Sequence, residues 1–96
     1  MKSRAGITRS SGNVFADLGF PPEEVVVLSM RAEVMASLRN LIVKRGWTQA
    51  EAARQLGVTQ SRISDLVRGR FEKFSLDMLV SLAARAGRSV KLRLAA

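Results

Sequence analysis

Residues 48–69 read TQAEAARQLGVTQSRISDLVRG, and the reading of this stretch decides the fold. Thr48 stands where a helix begins, with Glu51 three residues on, the spacing of a capping box. The Ala-rich run behind them predicts a helix to Leu56, stopped by Gly57. Thr59 then caps a second helix, which runs to Val67 or Arg68 and ends at Gly69. Two short helices joined this tightly cross at a steep angle, which limits side-chain size between them. Ala53 meets that limit where the helices pass closest. Gly57 supplies the positive φ that the turn wants at no steric cost. Ala52, Leu56, Val58, Ile63 and Leu66 then face inward and form the core between the helices.

Upstream of this stretch, Pro22 followed by Glu23 and Glu24 suits the positive end of a helix. Leu28, Met35, Leu38 and Ile42 recur at helical spacing as far as Arg45, and Gly46 closes the run behind Lys44. Ser29–Arg31 leaves open whether this is one helix or two. Trp47 reads as core, just before the capping box. Downstream, Phe71 and Phe74 read as a hinge packing a further helix, capped by Ser75 and running from Leu76 to Ala86 before Gly87. In the tail the period changes. Val90, Leu92 and Leu94 alternate with polar residues, predicting a strand over 89–94. A lone strand leaves its backbone unpaired, so it wants the segment near Val14 or the same strand of a second subunit. Residues 1–20 read as a flexible basic N-terminal arm, with 21–96 as the folded domain. Lys2, Arg4 and Arg9 lie in that arm, whose apolar end (Val14, Phe15, Leu18, Phe20) wants cover from the body or a partner.

A chain of 96 residues makes one domain, too small for a deep cleft between lobes. Apolar residues at 47% and charged residues at 25% are those of a folded globular protein. The net charge of +8 points to an anionic partner, nucleic acid first and an acidic membrane surface next. With no Cys and no His, there is no disulfide, thiolate metal site or Cys nucleophile, and the usual general base is missing. Asp17, Glu23 and Glu24 lie close in sequence, but no nucleophile, base or phosphate-cradling loop accompanies them. No enzyme activity, cofactor or metal is expected. Neither a membrane-length apolar run nor the apolar core of a signal peptide is present, which predicts a cytoplasmic protein.

The segment 48–69 resembles the helix-turn-helix of the phage-repressor and Cro-like (XRE) superfamily. The wider pattern SGNVFADLGFPPEE, RAEVMASLRNLIVKRGWTQAEAARQLGVTQSRISDLVRGR and FSLDMLVSLAARAGRSVKLRL is similar to the HigA-like antitoxin branch. This resemblance implies an all-α, lambda-repressor-like bundle of about five helices, with the short C-terminal strand added. It also implies a DNA-binding regulator, usually dimeric, that represses its own operon and neutralises a RelE/HigB-like ribonuclease toxin. By the same resemblance Gln49 matches the glutamine that grips a phosphate and braces the recognition helix. Gln60, Ser61 and Arg62 match the base-reading start of that helix, and Asp65 matches a reading position one turn on. Gln60 suits adenine and Arg62 suits guanine. Asp65 either accepts from cytosine or orients Arg62 through an ion pair at helical spacing. Thr48, Thr59, Arg54, Arg68, Arg70 and Lys73 surround the motif as phosphate candidates.

Two functional readings follow. In the first, a homodimer sets two recognition helices about one DNA turn apart on double-stranded DNA, with Val90, Leu92 and Leu94 as the dimer seam. In the second, the chain is chiefly a protein-interaction module that covers a ribonuclease toxin through the patch at Val14, Phe15, Leu18 and Phe20 or through the first helix. A net charge of +8 is awkward for holding a basic toxin.

Overall fold

In a computed structural model, which describes residues 13–95, the regular structure of those residues is all helical. Helix α1 spans Val14–Asp17, α2 Pro22–Lys44, α3 Gln49–Leu56, α4 Gln60–Val67 and α5 Leu76–Arg85, with a 3-10 turn at Phe71–Lys73 before α5. The chain divides between Met30 and Arg31 into two compact units.

The first unit holds α1 and the start of α2. The Asn13 side chain caps α1, accepting from the Phe15 N–H at 2.9 Å, while its amide donates to Ser29 Oγ at 2.8 Å. Phe15 and Leu28 are buried, and the Phe15 and Phe20 rings meet edge to face at 6.3 Å. The arm expected over 1–20 therefore ends in ordered structure from Asn13 on. Lys2, Arg4 and Arg9 lie outside the described residues. Helix α2 runs unbroken through Ser29–Arg31, which resolves the one-helix-or-two question as one. Nothing there breaks a helix, since neither Gly nor Pro interrupts the run after Pro22.

The second unit carries the main core. Met35, Leu38, Leu41 and Ile42 of α2 pack with Ala52, Ala53 and Leu56 of α3, Ile63 and Leu66 of α4, Phe74, and Leu79, Leu82 and Ala83 of α5. Helix α3 packs on both α4 and α5. Ala52, Leu56, Ile63, Leu66 and Leu79 are fully shielded from water, so the face read as inward from the sequence is inward. Val58 and Trp47 pack against this core half-buried, and the Arg45 guanidinium lies 5.1 Å from the Trp47 ring centroid. Arg45 also donates to the Ala86 carbonyl at 3.1 Å, satisfying an oxygen at the end of α5.

The tail departs from expectation. Among the described residues there is no strand, and 89–94 is irregular. Strand structure depends on pairing: a ladder needs a neighbour, and no described segment of the single chain supplies one. Val90 packs on the core, whereas Leu92 and Leu94 are 64% and 100% exposed.

Candidate nucleic-acid interface

Backbone chemistry sets α3 and α4 in their relative places. At the start of α3, the Glu51 N–H donates to Thr48 Oγ1 at 3.1 Å and the Thr48 N–H donates to Glu51 Oε1 at 2.8 Å, a complete capping box. The Thr48 backbone N–H and then its side chain hold the Glu51 carboxyl below its ordinary pKa. Gly57 ends α3 with φ 68° and ψ 36°, and the Val58 N–H returns to the Ala53 carbonyl at 3.0 Å. Thr59 then caps α4, its Oγ1 accepting from the Arg62 N–H at 3.1 Å. A hydroxyl that accepts from a cap N–H keeps its own O–H, so Thr48 and Thr59 each retain one donor.

Ile63 and Leu66 define the inward side of α4. At about 100° per residue, the opposite side carries Ser61, Ser64, Asp65 and Arg68, with Gln60 and Arg62 on the two flanks. Gln60, Ser61 and Arg68 are exposed, and Ser64 and Asp65 are half-buried. Ser64 was not among the residues singled out from the sequence. Helical spacing marks it all the same, three residues after Ser61 and four after Gln60.

Arg62 behaves differently from its neighbours. It is half-buried, its Nη1 donates to the Lys73 carbonyl at 2.9 Å, and its guanidinium carbon lies 5.4 Å from the Phe74 ring centroid. The Lys73 carbonyl and Phe74 ring thus orient it, a part the sequence offered to Asp65.

The remaining cations divide in the same way. Arg45 and Arg85, like Arg62, spend donors on backbone carbonyls within the fold. Thr48 and Gln49 at the start of α3, Thr59 at the start of α4, and Arg54, Arg68, Arg70 and Lys73 are all exposed. Every Lys and Arg of the described chain lies from Arg31 onward. Residues 13–30 carry only Asp17, Glu23 and Glu24 as charged groups. Among the described residues charge is therefore unevenly spread, acidic over 13–30 and strongly basic over 31–95. Among the described residues no helix is long and apolar enough to cross a membrane, and no three Asp or Glu gather as a metal site.

What this geometry offers is two capped helix starts, an outward polar face on α4 and exposed basic side chains before and after it in the chain. These are the parts with which a duplex is held by its phosphates and read at its base edges. No curated protein and no solved structure matches the chain. A family model described as a helix-turn-helix domain matches residues 14–95. The match spans both units and nearly all of the described chain, and with it the chain belongs to the helix-turn-helix domain family, whose business is binding DNA.

Proposed function

We propose that the chain is a sequence-specific transcriptional regulator that lays α4 in the major groove and works as a dimer, the autorepressing antitoxin of the HigA-like pattern. One observation carries the reading: α4 turns a polar face outward behind its Thr59 cap, and Arg54, Arg68, Arg70 and Lys73, before and after that face in the chain, are exposed. Gln60, Ser61 and Asp65 are the base readers in this reading. Thr48, Gln49, Thr59, Arg54, Arg68, Arg70 and Lys73 hold phosphates. Leu92 and Leu94, apolar and in water, supply the dimer seam with Val90.

Selection of bound sequences from a random DNA pool tests the proposal. The expected outcome is a short inverted repeat whose half-sites lie about one helical turn apart. Recovery of no preferred sequence would overturn it.

A second reading has its own support. Val14, Leu18, Val26 and Val27 are exposed in the stretch 13–30, whose charged residues are Asp17, Glu23 and Glu24. An acidic stretch with exposed apolar side chains suits a basic protein better than the overall +8 implies. The full chain mixed with the product of a neighbouring gene for a small basic ribonuclease should form a complex, which Leu18→Lys with Val26→Lys abolishes. A complex that survives both changes would place the contact elsewhere.

A further inference from the structure

We propose that Arg62 is a positioning residue of the recognition helix: it ties the first turn of α4 to the segment Phe71–Phe74 and so sets the depth and tilt at which Gln60, Ser61 and Asp65 present themselves. The inference rests on the reading that α4 enters the groove. It departs from the part of guanine reader that an arginine at this place in the motif invites.

Three constraints converge on this one residue, one on its backbone and two on its side chain. Its own N–H is held by Thr59 Oγ1 at 3.1 Å, so the start of the residue is fixed to the cap. Its Nη1 donates to the Lys73 carbonyl at 2.9 Å, eleven residues on. Its guanidinium lies over Phe74, a ring only 2% exposed and part of the core. The platform is therefore rigid, unlike a surface ring that swings with its own rotamers. Helical geometry agrees, because Arg62 precedes Leu66 by four residues and sits on a flank of the inward face. Bidentate reading of guanine needs the guanidinium edge in the groove, and reaching it means giving up both the carbonyl and the ring.

The joint is also well placed to act. It couples the reading end of α4 to the 3-10 turn that leads into α5, bypassing the rest of α4. Without it, the C-terminal part of α4 stays anchored by Leu66, while the start that meets DNA is held by its cap and by Ile63.

The full chain carrying Arg62→Ala, Arg62→Lys, Phe74→Leu or both Arg62→Ala and Phe74→Leu tests this. Each is assayed, well below its melting temperature, on the selected DNA site and on every single base-pair change of it. Arg62→Ala should weaken binding to the selected site by roughly tenfold, the scale of one charge-assisted hydrogen bond, with discrimination shrinking at all base pairs of the half-site. Phe74→Leu should give the same pattern, and the double variant should be little worse than either single one. Arg62→Lys should recover part of the loss, since an ammonium still donates to the Lys73 carbonyl. Amide hydrogen exchange in the first turn of α4 should quicken in Arg62→Ala, a measurement that needs no DNA.

Loss of preference at one base pair alone, with Phe74→Leu binding like the parent, would make Arg62 a reader and overturn the inference. Additive effects of the two changes would overturn it as well. If Gln60→Ala also leaves every preference unchanged, the placement of α4 in the groove fails, and this inference falls with it.

Discussion

Arg85 reaches from α5 to the turn of the motif, where its Nη1 donates to the Leu56 carbonyl at 3.0 Å and lies 3.4 Å from the Gly57 carbonyl. These are oxygens at the C-terminal end of α3, which the helix itself leaves without partners. A guanidinium there satisfies them and complements the negative end of the helix dipole. The turn between α3 and α4 is thus fastened from outside the motif, by the helix that follows it.

Arg85→Met should therefore destabilise the domain by about 1–3 kcal/mol, the range for losing a hydrogen bond from a charged donor. For a domain of this size each kcal/mol corresponds to roughly 4–8 °C in melting temperature, readable by circular dichroism. Gly57→Ala should cost about 1–2 kcal/mol for a different reason. A Cβ at Gly57 meets Arg85 Nη1 at 3.4 Å, an ordinary contact, so the penalty comes from φ 68° and not from crowding. Unchanged melting in Arg85→Met would show that the bond adds nothing in water.

The capping box predicts a pH dependence. The folded state holds the Glu51 carboxyl below its ordinary pKa, first through the Thr48 backbone N–H and then through the Thr48 side chain. A depressed carboxylate contributes stability that is present above its unfolded pKa and lost as pH falls through the folded one. Wild-type protein should lose more melting temperature between neutral pH and about pH 3 than Glu51→Gln, whose amide does not titrate there. Thr48→Ala removes the hydroxyl end of the box and should cost about 1 kcal/mol at neutral pH. Parallel curves for the wild type and Glu51→Gln would dismiss the linkage.

Phosphate holders and base readers should separate by salt and by sequence. Each of Arg54→Ala, Arg68→Ala, Arg70→Ala and Lys73→Ala should weaken binding to all DNA alike. For a residue that touches phosphate, the slope of log affinity against log salt should shrink by about 0.9. Gln60→Ala should leave that slope unchanged and relax one base pair, at a cost of about 1–3 kcal/mol. A uniform loss from Gln60→Ala would remove it from the readers.

How much of this is legible beforehand depends on how far each feature reaches along the chain. Caps at Thr48, Thr59 and Ser75 and the inward set from Ala52 to Leu66 involve residues three or four apart, so the sequence displays them directly. The direction of Arg62 is set by Lys73 and Phe74, and that of Arg85 by Leu56, partners far along the chain that local spacing does not connect. Net charge misleads for a related reason, since a sum over the chain erases the acidic stretch at 13–30. The strand fails because alternation shows only that a segment is able to pair, and pairing needs a second segment.

The tail of a second copy is the segment able to supply that pairing. Val90 already rests on the core, so deleting 90–94 would mix loss of packing with loss of assembly. Leu92 and Leu94 are exposed, and changing both to Ser should leave the melting temperature of the isolated domain nearly unmoved. If the tails of two copies pair, their alternating Leu side chains share one face of a two-stranded ribbon and leave water together. The parent should then sediment as a dimer and Leu92→Ser with Leu94→Ser as a monomer. Binding to the two-half-site DNA should fall toward that of a single half-site, because the second contact is no longer intramolecular. A variant that still sediments as a dimer and binds the full site like the parent would move the seam to another surface, and the tail would be left with only the packing of Val90.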